Sequence, residues 1–375
     1  MKKGIFICFL IIIKIKLSYS QIGIVHGEHR VEFSGLTTIT FTNRDIISTP
    51  KKHLSYFEAR NVQFRLEYNY KIIRCVVQAD VAALATGNFD PENIGLMNIW
   101  MQIKPVGNLK VRAGFFKVRY SRSNLVSEFD SPFFNRSEIC RGQIFGSRDF
   151  GLNANYSFIH GLLNIDVGTY TGIAELSLQG KNALNTKFEY VARVDFAWPQ
   201  KDKQSDFDVY HTRIPQFTLG ANVRYNNKDG SISDTYQLLV VGGKKLVHGY
   251  DAALYYKGIA IACEINAIKM YPLNKNLRTL DPTNTFFNAF GYYVQASYYQ
   301  NKIKSFLALR YDRMNQDTYY AGLGDRVTAS LGSFFYHKHL HVRLNYTRIL
   351  RTETIATYNP PSWKNQWRIG IYYNL

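Results

Sequence analysis

The chain has 375 residues, is 46% hydrophobic and 15% aromatic, with 27 Tyr and 25 Phe, and carries a formal charge of +18. Beyond the first twenty residues no segment approaches the roughly 20 consecutive apolar residues of a membrane helix. That excludes a helical membrane protein and leaves an exported β protein or a membrane barrel.

Residues 1–20 read as a secretory signal peptide. Lys2 and Lys3 give the positive start, 4–13 is an apolar run, and Ser18 and Ser20 place small residues before Gln21. Four of the eighteen charges (Lys2, Lys3, Lys14 and Lys16) fall in that segment, so 21–375 carries +14. An exported basic protein is not expected to meet nucleic acid. Small anionic solutes and the phosphates of outer-membrane lipid, lipopolysaccharide included, are the expected partners. Without Cys8, Cys75, Cys140 and Cys263 are odd in number and widely spaced, which is no disulfide framework.

Successive side chains of a strand point to opposite faces, and that alternation recurs along the chain. Phe64, Leu66, Tyr68 and Tyr70 alternate with Arg65, Glu67 and Asn69. Phe188–Phe196 sets aromatic and aliphatic side chains against Glu189, Arg193 and Asp195. Phe217, Leu219, Ala221, Val223 and Tyr225 oppose Thr218, Asn222, Arg224 and Asn226. Val342, Leu344 and Tyr346 oppose His341, Arg343, Asn345 and Thr347. At the C-terminus Trp367, Ile369, Ile371, Tyr373 and Leu375 share one face, as in the closing strand of a barrel that is apolar toward lipid and polar toward its lumen.

The links between these segments alternate in length. Short ones fall at 70–71, 107–108, 160–161, 257–258, 301–302 and 337–338; long ones at 43–54, 121–147, 172–185, 271–286, 314–324 and 351–364. A first count of seventeen strands cannot bring both termini to one side. Treating 231–243 as an external loop restores the long–short order, apart from a long inner link at 199–213. The expected fold is all-β: one transmembrane antiparallel β-barrel domain over 21–375, of about 16 strands (18 as the alternative), with both termini periplasmic.

By this count 121–147 is the third external loop. It is 27 residues long, beyond the usual length of a loop without function, and its Pro132, Phe133 and Phe134 point to packing against something rather than free motion. From Lys110 to Arg148 eight basic residues face only Glu128, Asp130 and Glu138. Folded into a pore, such a loop makes a positive ring that favours anions. The candidate constriction residues are Arg119, Arg122, Arg136 and Arg141, with Arg112 and Arg148 at the flanking strand ends. Arg65, Arg193, Arg224, Arg310, Arg343 and Arg368 either extend that field along the wall or pair with Glu67, Glu189, Asp195, Glu264 and Asp312.

The stretch from Leu109 through Gly114 to Val118, then Asn124–Ser127, Phe134–Ser137 and Arg148–Gly151, resembles the phosphate-selective porins O and P, as do Gly291–Tyr299 and Ala308–Asp312. The resemblance implies a sixteen-stranded outer-membrane channel of a Gram-negative bacterium, inserted by the barrel-assembly machinery, often a homotrimer, whose third external loop narrows the pore. Two positions depart from that pattern: Arg119 stands where the family commonly has Pro, and Leu375 where it commonly ends in Phe. A structural or adhesive barrel with a closed lumen, acting through Tyr-rich outer loops such as 317–320, is the alternative. His337, His339 and His341 have strand-face spacing, but the turn expected at 337–338 breaks it. No metal, cofactor or catalytic nucleophile is expected, and no Gly-x-Ser-x-Gly elbow occurs.

Overall fold

The computed structural model describes residues 22–45, 53–82, 95–140, 147–172, 187–229, 242–273, 287–317, 321–336, 339–352 and 363–374. Sixteen antiparallel strands close into a ring. In chain order they are β2 (His29–Asp45), β3 (His53–Tyr70), β4 (Ile73–Asp80), β5 (Gly95–Ile103), β6 (Leu109–Lys117), β7 (Arg148–Phe158), β8 (Leu163–Tyr170) and β9 (Glu189–Trp198). There follow β10 (Gln216–Lys228), β11 (Gly243–Tyr256), β12 (Ile259–Pro272), β13 (Phe287–Gln300), β14 (Ser305–Asp317), β15 (Ala321–Tyr336), β16 (Leu340–Thr352) and β17 (Asn365–Asn374). Each strand pairs with its sequence neighbours, and β17 closes the ring on β2 with Gln366 opposite Arg44 and Asn374 opposite Leu36. Closure satisfies backbone hydrogen bonds between strands, the condition for crossing a lipid core without helices. Among the described residues no helix is long and apolar enough to cross a membrane.

A short extra strand, β1 (Ile22–His26), lies outside the ring. β17 pairs with β2 only as far as Leu36, and β1 takes over the same edge from Phe33 to His29. At five residues it is too short for its alternation to stand out in the sequence.

The burial pattern reverses that of a soluble β protein. On β17 the alternating apolar residues are the exposed ones, Trp367 at 49% and Ile371 at 52%, while Arg368 and Tyr372 are buried. The same holds on β9 and β10, where Tyr190, Val194, Leu219 and Val223 are exposed and Glu189, Arg193, Asn222 and Arg224 are buried. An exposed apolar belt around a polar interior suits lipid outside and a polar lumen within.

Link lengths follow the expected order. At one rim the links are short, as between β3 and β4, β5 and β6, β7 and β8, and β11 and β12. β10 ends at Lys228 and β11 begins at Gly243, so 231–243 lies almost wholly between strands, as the long–short rule requires. The link expected at 314–324 is shorter than its sequence suggests: β14 and β15 extend the hairpin until Asp317 faces Ala321. Residues 1–20 and 318–320 lie outside the described residues.

Candidate functional site

The described part of the third long-rim link, 118–140, folds into the lumen and is held there. Its foot is closed by a backbone bond from Val118 N to Ser147 O, and Asn124 Nδ2 donates to Val118 O at 2.9 Å. Ser121 caps a single helical turn, Arg122–Leu125, by accepting from Asn124 N. Phe129, Phe133, Phe134 and Ile139 are buried, and Phe134 packs on Tyr372 of β17 with ring centroids 5.5 Å apart. Gly370 makes that contact feasible, because a Cβ there would lie 2.7 Å from the Phe134 ring.

The wall supplies the polar ties. Arg193 donates to Tyr120 O at 2.7 Å, Arg310 to Asn135 O at 3.0 Å and Arg60 to Phe134 O at 2.9 Å. Arg343 donates to Glu128 O and Phe129 O, Ser330 to Pro132 O, and Arg326 pairs with Glu138. The wall arginines also pair with wall acids: Arg65 with Glu67, Arg224 with Glu189, Arg310 with Asp312, and Arg193 with Asp195 and Asp251. Arg193, Arg224, Arg310 and Arg343 are thus occupied in fixing the loop or the wall. An isolated buried charge is costly, whereas one fully bonded to carbonyls and carboxylates is retained.

From the opposite rim the inner link 199–215 also enters the lumen. Phe207 packs among Tyr299, Phe306 and Phe334. Buried Asp208 accepts from Thr212 N at 2.8 Å and Gly258 N at 2.9 Å. The two insertions meet. Asp206 N donates to Asp130 O at 2.9 Å, and Arg122 reaches Asp202 at 3.2 Å and Ser205 O at 2.9 Å.

Together they occupy most of the lumen beside β9–β17, where a small cavity of about 20 Å³ remains against β14–β17, and among the described residues two larger cavities lie along β3–β8. The first, about 320 Å³, lies toward the long-loop rim. Its charged lining is Arg65, Arg112, Lys117, Arg119, Arg136 and Arg148 against Glu128 alone. The second, about 340 Å³, lies toward the short-turn rim between Arg74, Lys104, Lys110, Lys201 and Lys203, with Asp166, Asp195 and Asp202 opposing. Arg112, Arg119 and Gln204 line both cavities, so the two meet at these side chains.

Four of the six arginines singled out in the sequence therefore come together: Arg112, Arg119, Arg136 and Arg148 face the first cavity. Arg112 lies over the Trp100 ring at 4.2 Å and donates to Gln102; Arg119 pairs with Asp166 at 2.9 Å. Arg122 departs from the expected pore-lining place. The helical turn begun at Ser121 directs it into the inner link, where it is 3% exposed and tied to Asp202. Arg141 lies outside the described residues. Burial would raise the Glu128 carboxyl, but Arg60 and Arg136 nearby and the Asn61 amide outweigh it and hold Glu128 below its ordinary range. The sequence reading did not identify Gln204, Lys201 or Lys203. The signal for them was the long link at the rim where every other link is short.

His341, from the histidine triplet, faces inward and stacks on Tyr372 with centroids 4.6 Å apart, beneath Phe129. Its neighbours are aromatic, and His337 lies outside the described residues.

No family model matches the chain, and no curated protein matches it in sequence. Solved structures do. The anion-selective porin from Comamonas acidovorans is 10% identical, with a TM-score of 0.62, over 93% of this chain and 100% of that one. OmpF of Salmonella typhi, in complex with daunomycin, is 13% identical with a TM-score of 0.61, over 94% and 100%. The outer-membrane channel DcaP of Acinetobacter baumannii is 9% identical with a TM-score of 0.58, over 94% and 99%. At this identity the likeness is one of fold: the chain is a sixteen-stranded barrel of the architecture found in bacterial outer-membrane porins.

Proposed function

We propose that this protein is a porin of a Gram-negative outer membrane, a passive channel whose path runs between the inward segment 118–140 and the β3–β8 wall. In this reading residues 1–20 direct export, the barrel-assembly machinery inserts the chain, and the short-turn rim is periplasmic. Lipopolysaccharide surrounds the outer rim, and a homotrimer is the expected assembly.

The observation that carries the reading is the lining of the first cavity, six cationic side chains against one carboxylate. A solute passing there meets a positive field inside a low-dielectric wall, which favours small anions over cations. Phosphate is the anion best matched to that lining, because a guanidinium offers two parallel donors to an oxyanion. Arg112, Arg119, Arg136 and Arg148 are the proposed selectivity residues. Arg141 joins them on sequence grounds, and Arg122 holds the loop.

The test is a planar-bilayer recording of the refolded protein under a salt gradient, followed by phosphate titration. A reversal potential on the anion side with block by phosphate supports the reading. A cation-side potential overturns it.

A further inference from the structure

The inner link 199–215 is the long exception at a rim of short turns, and its residues divide into two sets. Phe207, Asp208 and Thr212 are buried and anchor it: Phe207 sits in an aromatic cluster, and Asp208 is bonded to Thr212 and to Gly258 N of the neighbouring turn. Ser297 of β13 donates to Asp206 O at 2.6 Å, and Gln216 Nε2 donates to the carbonyls of Gln200 and Lys201. The other set, residues 201–204, faces the second cavity. Within that set only Gln204 also lines the first.

We propose that this link is a second constriction element, inserted from the short-turn side, and that Gln204 at its tip controls conductance and charge discrimination at the neck between the two cavities. The proposal rests on the channel reading above. The inward loop narrows the path from one side; the anchored inner link bounds it from the other. Gln204 is held in place by its own backbone, which sits at φ +48° with its N–H donating to Asp202 Oδ1 at 3.2 Å. A non-glycine residue in this left-handed region is uncommon. Its side chain shares the neck with Arg112 and Arg119, so a change of size or charge there acts where the path is already restricted.

Three substitutions separate a constriction from a merely structural plug. Gln204→Gly suits the left-handed backbone, removes the side chain and is expected to raise single-channel conductance. Gln204→Trp fills the neck and is expected to lower it by about twofold or more. Gln204→Glu adds a carboxylate to the lining that Gln204 shares with Arg112 and Arg119 and is expected to lower the anion-to-cation permeability ratio by about twofold at low salt, where screening is weak. Folding of each variant is checked by the heat-modifiable mobility of the barrel on gels.

A covalent readout runs alongside. Gln204→Cys is exposed to a negatively charged methanethiosulfonate added to the short-turn side, with the wild type as control. Cys140 is buried in that control, and Cys75 and Cys263 stand on lipid-facing strand positions. Loss of current in the variant alone supports the proposal. A conducting wild type whose folded Gln204 variants keep its conductance and selectivity, and whose Gln204→Cys current survives the reagent, overturns the inference and leaves the channel reading intact. A folded wild type that carries no current defeats the channel reading, and this inference with it.

Discussion

Arg343 of β16 lies over the Tyr372 ring of β17, its guanidinium carbon 4.0 Å from the ring centroid, and from there donates to the carbonyls of Glu128 and Phe129 at 2.9 and 2.7 Å. One buried cation thus joins two wall strands to the inward loop. Removing it leaves two carbonyls without their charged donor inside the lumen. Arg343→Met is expected to destabilise the barrel by about 2–4 kcal/mol. The check is the thermal unfolding midpoint by circular dichroism, with larger and noisier single-channel steps as the functional counterpart.

Gly370 tests the same latch from the apolar side. A methyl group there would press on the Phe134 ring at 2.7 Å. Gly370→Ala is expected to cost about 1–3 kcal/mol through overpacking. Because Phe134 belongs to the loop rather than the wall, the change should also displace the loop tip. Faster protease cleavage within 118–147, with the strands still protected, would register that displacement.

The barrel was legible in the sequence because lipid and lumen each impose a two-residue period. Trp367, Ile369, Ile371 and Tyr373 announced the outward face of β17, and Arg343 and Arg368 announced inward positions. The count of sixteen followed from link lengths once 231–243 was read as a loop. What the sequence left open were directions within irregular segments. Arg119 and Arg122 are three residues apart, yet one faces the first cavity and the other is buried against Asp202. A single capped helical turn makes that difference, and no periodicity records it. The inner link stood out by length, but its destination depends on Phe207 reaching Tyr299, Phe306 and Phe334, a contact between distant parts of the chain.

Glu128 predicts the pH dependence. Burial alone would raise its pKa, but Arg60, Arg136 and Asn61 together outweigh burial, so its folded value lies below that of the unfolded chain. The sign follows: its contribution to stability is complete above the unfolded value of about 4.3 and is lost as pH falls through the lower folded value. The difference in unfolding midpoint between wild type and Glu128→Gln should be constant from neutral pH to about 5 and shrink below about 4. Over the same acid range the neutralised carboxyl no longer offsets the arginines, so anion preference should rise. A preference that falls on acidification would contradict this placement of Glu128.

In the proposed channel, ions pass along β3–β8 under the charge of the arginines facing the first cavity. The most direct measurement is the reversal potential under a salt gradient for wild type and for Arg112→Gln combined with Arg136→Gln, both verified as folded barrels. The wild type is expected to show an anion-side potential that moves toward zero in the double variant, with conductance retained. An unchanged potential would contradict this proposal, and so would a wild-type barrel that is folded and electrically silent.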